Sequence, residues 1–176
     1  MLRRVSAPPD AFFDRPAPEL ARALLGAVLR RRHGDLWLSA RIVETEAYST
    51  SEPASHSSLG RTPAREPLWA SPGTLYLYRS QGGPSLNLSA RGAGDAVLIK
   101  AGVPVSDAWS GSDSLVAMHA NNPGSRGARR PDHRLCAGQA LLCRSLAITV
   151  AEFTGTRFHP ERLWLDLPGP PRALPG

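Results

Sequence analysis

Arg41-Ile42-Val43-Glu44-Thr45-Glu46-Ala47-Tyr48 is the stretch on which the reading of the chain turns. β-Branched and aromatic residues fill it and neither Gly nor Pro interrupts it, so it predicts a strand. Side chains alternate across a strand, which assigns Ile42, Glu44, Glu46 and Tyr48 to one face. That face begins apolar and ends in two carboxylates and a phenol. His56 follows closely, and the Pro72-Gly73 turn signal introduces a second strand-like run over residues 74–78. All three tyrosines of the chain, Tyr48, Tyr76 and Tyr78, fall in this window. Carboxylates, aromatic faces and one histidine so close together point to a pocket for a flat, aromatic ligand.

Upstream, Pro18 suits a first helical turn, Glu19 lies near its positive end, and Leu20, Ala21, Leu24 and Leu25 recur at helical spacing. Gly26 is the natural stop. Residues 27–32 and 36–46 then predict a hairpin around His33-Gly34-Asp35. The rival reading runs the helix on to Arg32, but the second strand needs a neighbour. Downstream, residues 49–71 form a long polar connection between two strands that carry aromatics, so it is read as functional. Gln81-Gly82-Gly83-Pro84 breaks the chain before a strand over 85–90. Ala96-Val97-Leu98-Ile99-Lys100-Ala101 is the most strand-like apolar run and is expected at the centre of the sheet. Residues 112–119 predict a short helix capped by Ser112 or Asp113. Residues 121–134 read as a solvated loop with Arg126, Arg129, Arg130 and Arg134 as its basic cluster. A helix is expected over 138–147, with Leu142, Cys143 and Leu146 inward, and a last strand over 162–167. No internal repeat is found.

The 176 residues are enough for one domain with a real core. No run of 18 apolar residues exists to span a membrane. No apolar stretch follows Arg3 and Arg4, so no signal peptide and a cytoplasmic location, nucleoid-associated in a bacterium, are expected. The formal net charge is +6 and the pI about 10.3, carried almost wholly by arginine, with Lys100 the single lysine. Arginine suits phosphate, so a polyanionic partner fits; so does a genome rich in Ala, Gly, Pro and Arg codons. Cys136 and Cys143 match no common zinc spacing and are expected as buried, reduced thiols.

Each chemical residue has a bland reading beside its sharp one. Glu44 and Glu46 are a solvated strand face, or one of them is a general base beside a pocket. The tyrosines are core and strand-pair residues, or stacking walls for a nucleobase. His56 in a Ser-rich loop is an exposed histidine unless that loop folds over the pocket. Asn87 is an edge residue or a base-reading amide.

Together these residues resemble the alkyladenine type of 3-methyladenine DNA glycosylase, the methylpurine DNA glycosylase family. The likeness is most specific in residues 41–48. It continues through His56, Thr62-Pro63, residues 72–78, Leu86-Asn87 and residues 94–101. Phe12-Phe13-Asp14, residues 20–26, Leu135-Cys136 and Leu142-Cys143 also match, so it covers roughly residues 11–167. The resemblance implies an α+β fold: a single mixed domain with a curved, mainly antiparallel β-sheet and a few helices around it. Residues 1–10 would be a loose lead-in and 168–176 a Pro/Gly-rich tail. It implies base excision repair, in which a damaged purine is flipped out of duplex DNA and its N-glycosidic bond hydrolysed, with no metal or cofactor and the chain acting as a monomer. By resemblance Glu46 is the general base that activates water. Tyr48, His56 and Tyr78 stack on the flipped base, and Asn87 crowds the 2-amino group of guanine. Arg65, Arg79, Gln81 and Lys100 are the expected DNA contacts.

Departures from the family's pattern favour an alternative, a degenerate relative that binds DNA or lesions without cutting. Gln81 is the nearest substitute for a wedging tyrosine. Lys100 stands where an Arg is usual. Gly138-Gln139-Ala140-Leu141 replaces a Gly-Pro-small-Lys turn, and relatives continue past the last residue into a closing strand, whose lack would leave a sheet edge exposed. A third possibility, a small-molecule hydrolase on the same fold, fits the basic charge less well.

Overall fold

The computed structural model of the protein describes residues 7–80 and 82–168. A short helix, α1 (Asp10–Phe13), leads into α2 (Ala17–Leu24). Pro16 and Pro18 open α2, where a missing N–H costs nothing, and Gly26 ends it with φ +82°. Strands β1 (Val28–His33) and β2 (Leu36–Tyr48) form the expected hairpin, so the rival long helix is not adopted. Strands β3 (Leu75–Ser80), β4 (Gly83–Ser89) and β5 (Ala96–Pro104) follow, then helices α3 (Ser112–Asn121), α4 (Gln139–Ser145) and α5 (Val150–Phe153), and strand β6 (Leu163–Asp166). The six strands make one curled antiparallel sheet in the order β3-β4-β5-β2-β1-β6, so the apolar run of β5 is central, as its composition predicts.

Leucines on one face of the sheet pack against the helices. Leu29, Leu38, Leu75, Leu86, Leu88 and Ile99 meet Leu20, Leu24, Leu142, Leu146 and Phe153 in a single core, worth roughly 1.5–3 kcal/mol per fully buried side chain. Cys136 and Cys143 lie in that core as free thiols, and burial pushes both up to about 12. Phe13 and Phe158 stack at 5.7 Å, and the Phe13 ring rests on the Pro72-Gly73 turn. Gly73 is required there: its φ is +88°, and a Cβ would stand 2.7 Å from the Phe13 ring.

Strict alternation along β2 is not observed. Leu38, Ala40 and Ile42 face the core, and so does Ala47 beyond them, while Thr45 Oγ1 donates to the Ala21 carbonyl in α2 at 2.9 Å. The pairing with β5 is irregular at Ile42–Glu44 and again at Glu44–Thr45. Both strands change face there, for Val97 and Ile99 are core residues, yet a Cβ on Gly102 would meet Leu142. Ile42 therefore does not share a face with Glu46 and Tyr48; the irregularity turns these two to the opposite side, the usual work of a bulge.

Smaller differences concern ends and turns. Gly111, not Ser112 or Asp113, is the N-cap of α3. Gly83 and Pro84 belong to β4, paired with Ser80 and Arg79, so the hairpin is tighter than a chain break. The connection after β2 contains two 3-10 turns, His56–Leu59 and Pro63–Trp69. Within the stretch expected as a loose lead-in, Asp10 already opens α1, while residues 1–6, Gln81 and 169–176 lie outside the described residues. None of the helices described is long and apolar enough to cross a membrane.

Candidate functional site

The face of the sheet turned away from the helical core carries the polar aromatics. Antiparallel register lines up Tyr76, Asn87, Leu98 and Glu46 as direct neighbours across β3, β4, β5 and β2. Tyr78 lies two residues along β3, and Tyr48, paired with Ala96, two along β2 in the other direction. The first 3-10 turn folds over this row. The His56 ring lies over Tyr78, tilted by 34° with centroids 3.8 Å apart, and its Nδ1 is 3.0 Å from the Tyr76 hydroxyl. Leu68 and Trp69 of the second turn pack with Tyr76, Tyr78 and Ala96 in a small apolar cluster of their own. Tyr48, His56, Tyr76, Tyr78 and Asn87 thus line one cleft. Tyr48 lines the cleft from β2, across the sheet from the His56–Tyr78 pair at β3, and among the described residues it joins none of the ring pairs.

The connection is held in place by backbone and side-chain bonds. Thr50 N–H donates to Asp95 Oδ1 at 3.0 Å, tying it to the β4–β5 turn. Ser55 Oγ accepts from Ser57 N–H and caps the first turn. Arg65 Nη1 donates to the Leu59 and Gly60 carbonyls, both at 3.1 Å, and closes the segment. That is why a loop histidine becomes part of a wall.

Glu46 has a donor on each oxygen. The Tyr48 hydroxyl donates to Oε2 at 2.6 Å, and Lys100 Nζ lies 3.0 Å from Oε1. Burial alone would push the Glu46 carboxyl up, but hydrogen bonds from Tyr48 and Lys100, with the Lys100 charge, hold it below the usual carboxylate value. The same bond to Glu46, with burial, pushes the Tyr48 phenol up to about 12. His56 is moved down by burial and by the Arg65 charge, so its ring is mostly neutral at pH 7. Burial raises Tyr76. The site is therefore an ionised carboxylate bonded to Tyr48, one of the walls of an aromatic cleft.

Of the residues singled out from sequence, the fold gathers Glu46, Tyr48, His56, Tyr78, Asn87 and Lys100. Glu44 is exposed and makes no ion pair among the described residues, which separates the two glutamates that spacing left equal. Asn87 Nδ2 donates to the Tyr76 and Ser85 carbonyls, both at 3.3 Å, and is buried in the floor. Arg79 is exposed at the end of β3 opposite Pro84. Gln81 lies outside the described residues. Tyr76, for which both a packing and a stacking role were open and which the family resemblance did not name as a site residue, also lines the cleft, and its two-residue spacing from Tyr78 puts both on one strand face. Among the described residues no cluster of His, Cys, Asp and Glu could hold a metal ion.

A family model described as methylpurine-DNA glycosylase matches residues 11–174. The chain is 52% identical over 161 residues to a Pseudomonas savastanoi pv. phaseolicola protein named "Putative 3-methyladenine DNA glycosylase", covering 92% of this chain and 72% of that one. It is 53% identical to a protein of the same name from Pseudomonas fluorescens, covering 92% and 70%. The mouse protein named "DNA-3-methyladenine glycosylase" is 39% identical over 160 residues, which is 88% of this chain and 47% of the mouse one.

Proposed function

The chain belongs to the methylpurine-DNA glycosylase family, and from that we propose that it is a base-excision enzyme acting on alkylated or deaminated purines in duplex DNA. The observation that carries this reading is the Glu46 carboxylate, ionised and oriented from both oxygens, beside the cleft of Tyr48, His56 and Tyr78. A flipped purine enters between Tyr48 and the His56–Tyr78 stack. Flipping costs a few kcal/mol, least where damage has already weakened the pair. Alkylated purines carry positive charge; aromatic faces attract it, and a neutral His56 does not repel it. Asn87, fixed in the floor, crowds the 2-amino group that guanine would bring.

Glu46 takes a proton from water as the water oxygen attacks the sugar C1′ and the C1′–N bond breaks. The base leaves with the bonding electron pair, which a cationic lesion accepts readily. Lys100 Nζ is engaged by Glu46 Oε1 at 3.0 Å, so it is tied to the carboxylate and not aimed at the sugar as an attacking amine. Water is then the nucleophile and the enzyme monofunctional, leaving an intact strand with an abasic site. Residues 11–167 make up the catalytic domain in this reading, and Arg65 and Arg79 lie on the DNA side.

A single-turnover assay on a duplex with one hypoxanthine tests the proposal. Alkali-labile abasic sites should accumulate without strand breakage before alkali. Lesion-specific binding with no abasic product would replace the enzyme by a lesion-binding protein.

A further inference from the structure

We infer that the end of β5 far from the cleft carries a docking site for a protein partner, through a segment of that partner in which acidic residues flank apolar anchors. Val103, Pro104 and Val105 form one wall of a cavity there, and Leu115 and Met118, one turn apart on α3, form the second. The 3-10 turn Asp132–Arg134 closes it with Asp132 and His133. The volume is about 360 Å³, inside the range of roughly 300–1,000 Å³ in which ligand pockets fall. Val103 is 38% exposed, so the apolar wall reaches solvent. His119 Nε2 in α3 lies 2.7 Å from Asp132 Oδ1, which ties the second wall to the third.

Charge selects the partner. The segment 121–134 that leads into this wall holds four arginines against the single acid Asp132. That acid is already engaged by His119 and, at 3.3 Å, by Arg129. Arg126 and Arg134 are exposed and make no ion pair among the described residues. The nearby Asp107 is committed to Arg30, while Asp113 is exposed at the start of α3. An apolar cavity beside an arginine-rich turn matches an amphipathic segment, whose apolar side chains fill the cavity while its carboxylates meet the guanidinium groups. A DNA backbone would meet the arginines and leave the cavity unfilled. A second copy of this chain would bring the same arginines and a net charge of +6 against its like. Ala96, which pairs with Tyr48 at the cleft, and Val103 stand roughly 20–25 Å apart along β5, so both sites can be occupied together.

Fluorescence anisotropy tests this with a labelled synthetic peptide of Asp and Glu that carries Leu and Phe at helical spacing. In the control peptide Ser replaces Leu and Phe. The first peptide should bind at least about tenfold more tightly than the control, the gain from burying one large apolar side chain. Val103→Asp, which sets a like charge on the apolar wall, and Arg134→Glu should each weaken that binding about tenfold or more, with urea midpoints as in wild type. Equal binding of the two peptides overturns the inference and leaves a surface for polyanions such as the DNA backbone. Absence of binding by wild type, or binding that Val103→Asp leaves unchanged, overturns it as well. A dimer in sedimentation that Val103→Asp dissolves would make a second copy the occupant instead. Should Val103→Asp lower the urea midpoint, Val103→Thr takes its place under the same outcomes.

Discussion

Glu46 is held by its neighbours, and the same is true of His56. The Tyr76 hydroxyl is 3.0 Å from His56 Nδ1 and so fixes the ring plane that stacks on Tyr78. A neutral hydrogen bond of this kind contributes about 0.5–1.5 kcal/mol. Tyr76→Phe should therefore weaken binding to hypoxanthine-containing duplex roughly 2- to 10-fold, with little change in binding to undamaged duplex; equal loss on both would assign Tyr76 a packing role only. The two-residue spacings Glu46–Tyr48 and Tyr76–Tyr78 were readable as shared strand faces. His56 was not, since its place depends on a 3-10 turn folding back, and no local periodicity reports that. Neither did spacing distinguish Glu44 from Glu46, because the distinction comes from Lys100 and Tyr48.

Among the elements, the hairpin, the central strand β5 and the inward face of α4 follow from apolar pattern and turn residues alone. The face change in β2 and β5 does not, because a period-two reading assumes an unbroken ladder. Gly102 is the trace it leaves in the sequence: a Cβ there would sit 2.9 Å from the Arg41 carbonyl. Gly73 is the more direct test of how the turn before β3 is built. A side chain at φ +88° costs about 1–2 kcal/mol, and the Phe13 ring blocks a Cβ besides. Gly73→Ala should lose at least roughly that much stability in urea unfolding. An unchanged midpoint would mean that the turn and Phe13 yield without cost.

The whole molecule is braced at the end of the sheet opposite the cleft. Arg30, only 3% exposed, donates to Asp107 Oδ2 at 2.7 Å, Asp166 Oδ2 at 3.1 Å and Ser39 Oγ at 3.2 Å, beneath Trp164. Burial alone would raise the Asp107 carboxyl, but the bond from Arg30 and the Trp109 and Ser110 amides hold it below its usual value. A depressed carboxyl stabilises the fold above its unfolded pKa and loses that contribution as pH falls through the folded one. Asp107→Asn should cost about 1.5–3 kcal/mol at pH 7, and the gap to wild type should narrow in acid below the ordinary aspartate range. A gap independent of pH would mean that charge at Asp107 does not matter. This brace was invisible in sequence, since its residues are 77 and 136 positions apart. Whether one carboxylate in an aromatic cleft excises the base is tested most directly by single-turnover excision and lesion binding for wild type and Glu46→Gln side by side. With Glu46 as the base, lesion binding should be unchanged and excision lowered about 10²–10⁴-fold, the usual loss of a general base. Excision by Glu46→Gln near the wild-type rate would contradict that role.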